Sequence, residues 1–138
     1  MIIEMKETRI INKLGLFIGI VGVLAVVLGA FGAHSLKSVL PADKLSTYNT
    51  GVTYHFYHLF AMTFAWFALN ETKSKWAKRS FWCFFIGIIL FSGSIYLLST
   101  RELIGFVNYK WLGPITPIGG VSFILGWMFL GISLNNKK

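Results

Sequence analysis

Four stretches of this chain, 14–33, 51–69, 81–98 and 117–134, are long, apolar and free of Lys, Arg, Asp and Glu. A hydrocarbon core of about 30 Å needs roughly 20 helical residues to cross it. In that solvent a backbone satisfies its polar groups only as a helix or a closed barrel. The feature therefore predicts an all-α fold, an integral membrane four-helix bundle forming one transmembrane domain over residues 1–138. Composition agrees: 13% of the residues are charged, about half the share of an ordinary soluble domain. Lys6, Arg9 and Lys13 precede the first stretch as they would a signal peptide, but its apolar run is too long and no small-x-small cleavage site follows. It reads as a retained helix.

The net charge of +8 does not point to nucleic acid, because the cations lie between spans rather than on one face of a folded module. Nine fall on one side of the predicted membrane: Lys6, Arg9, Lys13, Lys73, Lys75, Lys78, Arg79, Lys137 and Lys138. Four fall on the other: Lys37, Lys44, Arg101 and Lys110. The positive-inside rule then predicts a multi-pass protein of the cell (inner or plasma) membrane with both termini cytoplasmic. Cys83 is the only cysteine, so neither a disulfide nor a thiolate metal site is open to it; it reads as a small apolar filler.

Lipid tails give helices no hydrophobic reason to associate, so stripes of small residues that let backbones approach mark bundle contacts. In the first span Gly15, Gly19, Gly22, Val26, Gly29 and Ala33 form such a stripe, which also suits a homo-oligomer. His58, Ala61, Ala65 and Ala68 repeat the device in the second span, and Gly119, Ser122, Gly126 and Ser133 in the fourth. The third is less regular, with Gly87 and Ser94 seven apart. Between the first two spans, Pro41 and Asp43 signal a helix start. Leu45, Tyr48 and Val52 share a face, as a short interfacial helical segment or an extension of the second span requires.

The second span carries two histidines. At 100° per residue His58 shares the small-residue arc with Tyr54, within about one turn of the bilayer midplane, while His55 lies off the arc and closer to the interface. An inward ionisable residue at that depth is either glue between helices or part of a site. His55 and His58 without a nearby Cys, Asp or Glu are an incomplete ligand set, so no metal and no cofactor are implied. At the start of the fourth span Thr116 is placed to cap a helix beginning at Pro117, with Pro114 extended before it. Such backbone offers N–H groups to an anion or lipid head group.

GAFGAHSLK (29–37), TGVTYHFYH (50–58), FSGSIYLLS (91–99) and LGPITPIGG (112–120), with Gly126–Trp127 after them, fall at the ends of spans on the same, outer, side. In this order they resemble the small four-span membrane family of unknown function called domain of unknown function 423, itself related to a mitochondrial transmembrane protein. The likeness runs from about Leu14 to Leu134. It implies an integral membrane protein with no established activity and brings no catalytic residues. Tyr54, Tyr57 and His58 match the family pattern, which has Gln where this chain has His55.

Three function classes follow. The leading one is a structural or organising role in the membrane or envelope. The second is binding or transport of a lipid or other amphipathic molecule in an outer-leaflet groove, with His34, Lys37, Tyr54, Tyr57, His58, Ser92, Ser94 and Thr116 as candidate ligand contacts and membrane lipids as partners. An enzyme ranks last, since the spans hold no carboxylate and no nucleophile–base–orienter set.

Overall fold

The computed structural model describes residues 2–105 and 111–135, with side chains from Lys13 onward. Lys110, Lys137, Lys138 and the side chains of Lys6 and Arg9, which entered the charge count, lie outside the described residues. The described chain is all helix and turn. Helix α1 covers Ile2–Ala33, a 3-10 turn covers Leu36–Ser38, and α2 covers Ala42–Thr72. The third rod is α3 (Lys75–Gly87), a π-helical stretch (Ile88–Ser92) and α4 (Gly93–Thr100); α5 covers Leu112–Asn135.

Residues 13–38, the third rod and α5 are each long and apolar enough to cross a membrane. Helix α2 is more polar but has 31 residues, roughly 46 Å at 1.5 Å each. It lies at the centre of the bundle, against α1, α3, the π stretch, α4 and α5. Its Tyr48, His55 and His58 are buried against protein, where polar groups in a spanning helix are tolerated. The exposed side chains of α1 (Ile20, Val23, Val27, Phe31) and α5 (Ile118, Val121, Ile124, Met128) are apolar and suit lipid contact.

Neighbouring rods run antiparallel in a fixed register. Along α1 and α2, a Cβ added at Gly15, Gly22 or Gly29 would meet Trp66, Leu59 and Val52 in turn, at 3.2, 3.6 and 3.3 Å. The tightest position is Gly32, where it would lie 2.7 Å from the Tyr48 ring. The small-residue stripe of the first span is thus used against α2 of the same chain at Gly15, Gly22 and Gly29. At Gly19 nothing lies within 4 Å, and Val26 and Ala33 are exposed. A strict heptad drifts around a straight helix, and a single neighbour covers only part of it.

Between the third rod and α5, a Cβ on Gly126 would clash with Phe84, one on Gly87 with Phe123, and one on Gly119 with the backbone of Phe91. Ser94 then meets Thr116. Ser80 Oγ donates to the Gly126 carbonyl at 2.8 Å and Ser122 Oγ to the Cys83 carbonyl at 2.8 Å. Around these contacts Ala25, Met62, Ala65, Ala77, Phe81 and Phe84 are fully buried.

Two local readings are resolved. Of the two expectations for the segment after Pro41, the extension of the second span holds and the separate interfacial helix does not: the segment runs without a break into α2, because nothing between Ala42 and Gly51 interrupts the helical hydrogen bonds. And α5 begins at Leu112, with Pro117 inside it, so Thr116 caps nothing. Pro117, the sixth residue of α5, lacks the N–H that would reach the Gly113 carbonyl, so the helix gives up one hydrogen bond just past its first turn. The earlier helix start removes the broken backbone expected there as an anion seat.

Candidate functional site

Three of the four motifs converge around the N-terminal half of α2, where two polar clusters form. The first is centred on His55. Tyr48 is buried and its phenol donates to the Leu28 carbonyl of α1 at 2.9 Å, while its ring lies 4.9 Å from that of Tyr96 on α4. Tyr96 Oη is in turn 3.2 Å from His55 Nδ1. Gly51 makes this possible, since a Cβ there would lie 2.9 Å from Ile95 and 3.1 Å from Tyr96. The other ring nitrogen of His55, Nε2, is buried and has no hydrogen-bond partner among the described residues. Either His55 Nδ1 or the Tyr96 hydroxyl can be the donor of their bond, according to the imidazole tautomer. One side chain of α2 is thus tied to α4, beside the Tyr48 bond that ties α2 to α1.

The second cluster surrounds His58. Its Nδ1 donates to the Tyr54 carbonyl of its own helix at 2.8 Å. Its ring stacks on Phe123 of α5 with centroids 3.4 Å apart and planes 8° apart. Tyr54 stacks on Phe91 at 4.6 Å. Beside it, Ser94 Oγ and Thr116 Oγ1 lie 2.6 Å apart, and Ser94 also donates to the Phe91 carbonyl at 3.0 Å. Thr116 therefore supplies the proton shared with Ser94.

Sequence reasoning put the two histidines in the wrong order. His55, expected near the interface, is 3% exposed, and His58 is 7% exposed. Nor does His58 bond a hydroxyl or carbonyl of another span; its polar partner is one turn away on α2. The cause is the central place of α2. An arc of small residues reveals one close neighbour, whereas a helix packed on several sides buries several arcs. Tyr54, assigned to the interior, is 38% exposed, and Tyr57 is 62% exposed.

The remaining candidates divide. Ser92 and Ser94 are buried, and the Ser92 hydroxyl has no hydrogen-bond partner among the described residues. His34 and Lys37 are exposed at the turn after α1. Among the described residues no hydrogen bond or ring contact joins them to Tyr54 or His58. Tyr48, Tyr96 and Gly32 were not singled out as site residues. Gly32 and Tyr96 lie inside the motif strings and Tyr48 two residues before one, but it takes the α1–α2–α4 packing to bring them together.

An antiparallel four-helix bundle with exposed apolar flanks and motif residues tied across its interior defines an integral membrane protein. Its residues 28–120 match the family described as protein of unknown function (DUF423). It is 42% identical to the UPF0382 membrane protein YwdK of Bacillus subtilis over 80% of this chain and 85% of that one. A UPF0382 membrane protein of Haemophilus influenzae is 40% identical over 92% of this chain and 97% of its own. The inner membrane protein YgdD of Escherichia coli is 35% identical over 83% of each. No solved structure matches the chain. The chain belongs to the DUF423 family, whose members have no established activity.

Proposed function

We propose that this protein is a structural or organising component of the cell membrane, with both termini cytoplasmic, and that it is not an enzyme. The observation that carries the reading is what the motif residues do. Tyr48, Tyr96, His55, Ser94 and Thr116 direct their polar atoms at neighbouring helices, and Gly32, Gly51 and Gly119 permit the close approach those bonds need. Interhelix hydrogen bonds and close van der Waals contact are what hold helices together in lipid. With Gly15, Gly22 and Gly29 engaged inside the chain, a second copy would meet the face of α1 around Gly19 and Val26 instead.

A second reading, binding or transport of an amphipathic molecule in the outer leaflet, is favoured by the exposed rings of Tyr54 and Tyr57, which lie 6.4 Å apart beside buried His58. One experiment separates the two. Variants at Tyr48, His55, His58 and Tyr57 are compared for melting in mild detergent and for rescue of membrane-stress resistance in a bacterium lacking its own family member. Under the structural reading, rescue follows stability across the series. A Tyr57→Ala variant that melts normally and fails to rescue would favour the ligand reading.

A further inference from the structure

The basic end of the bundle, opposite the motif clusters, carries a groove of about 370 Å³ between α3 and α5. Its rim holds Lys75, Lys78 and Arg79, and its wall is made by Trp82, Cys83, Ile86 and Phe129. On α3 these residues recur at three- and four-residue steps, so they form one stripe. From Lys75 to Ile86 the stripe runs about 16 Å along the helix and passes from cations through an indole to aliphatic side chain.

The cations stand where helix stability alone disfavours them. The first turn of α3 has no acidic residue, although the positive end of the helix dipole favours anions. Lys75 is three and four residues from Lys78 and Arg79, spacings at which like charges repel. Among the described residues the one ion pair is Arg101–Glu102, at the other end. The cations are nevertheless held in place. Arg79 lies over the Trp76 ring at 4.7 Å, Trp76 packs on Phe129 at 5.3 Å, and Ser74 Oγ accepts from the Trp76 amide to fix the helix start. The positive-inside rule accounts for cations on this side of the membrane. It does not account for their alignment above an apolar groove.

We propose that this groove is a binding site for an anionic phospholipid of the adjacent leaflet. Lys75, Lys78 and Arg79 take the phosphate, and one acyl chain lies along Trp82, Ile86 and Phe129. The charge is complementary, the cations stand at the helix-start end of the groove, and basic pockets between helices at a membrane surface take such head groups. The negative phosphate also relieves the repulsion at the α3 N-terminus.

The test is native mass spectrometry of the full chain, purified in mild detergent and titrated with phosphatidylglycerol or phosphatidylcholine. The wild type is expected to retain phosphatidylglycerol in preference. A Lys75→Gln, Lys78→Gln, Arg79→Gln variant should lose that retention by about tenfold or more. Lys37→Gln with Lys44→Gln and Lys73→Gln removes the same charge elsewhere and should retain it. Ile86→Trp, which fills the groove and leaves the cations, should also lose it. Equal retention of the two lipids, equal loss in both triple variants, or full retention by Ile86→Trp would each overturn the proposal.

Discussion

His55 Nδ1 lies 3.2 Å from the phenolic oxygen of Tyr96, and through that contact the centre of α2 is tied to α4. The neutral imidazole can accept from the Tyr96 hydroxyl or donate to it, according to its tautomer. Glutamine carries both an acceptor and a donor on one side-chain amide. We therefore expect His55→Gln to keep the bundle within about 0.5 kcal/mol of wild type, whereas His55→Leu strands the Tyr96 hydroxyl and loses on the order of 1 kcal/mol. Thermal melting in one detergent compares them, and a Gln variant as damaged as the Leu variant would refute the hydrogen-bonding role of this position.

The glycines make a steeper prediction. A Cβ on Gly119 would lie 2.4 Å from the backbone nitrogen of Phe91, which cannot step aside as a side-chain tip can, while one on Gly19 meets nothing within 4 Å. Gly119→Ala should destabilise by about 1–3 kcal/mol. Gly19→Ala should be neutral or slightly stabilising, since alanine is the better helix former by up to about 1 kcal/mol. Equal melting of the two variants would mean that α5 and the third rod do not meet in this register.

Topology is tested separately. In a Cys83→Ser background, a membrane-impermeant thiol reagent added to intact cells should label Leu103→Cys, between α4 and α5, and spare Lys73→Cys, between α2 and α3. The expectation follows from nine cations on the Lys73 side against four on the other. The reverse pattern would invert the orientation.

The all-helical fold and much of the small-residue packing were legible in the sequence because lipid imposes them residue by residue: charge exclusion, helix length and backbone approach all leave a local mark. Gly119, Gly126 and Ala65 were read correctly on that basis. The burial order of His55 and His58 was not legible, since it depends on how many helices surround α2. Neither was the start of α5, where Pro117 suggested the first residue of a helix that in fact begins five residues earlier, at Leu112. The π stretch at Ile88–Ser92 has no sequence signal that we recognise, although it places the Phe91 backbone against Gly119.

The central claim is that the motif residues bind helix to helix, and the His55–Tyr96 pair tests it most directly through a double-mutant cycle. His55→Leu, Tyr96→Phe and the double variant are unfolded reversibly in one detergent, and the coupling free energy is taken from the four stabilities. The account predicts a favourable coupling of about 0.6 kcal/mol, up to roughly 1.7 kcal/mol, the range found for interhelix hydrogen bonds in membranes. Additive single effects, with no coupling between the two positions, would contradict it.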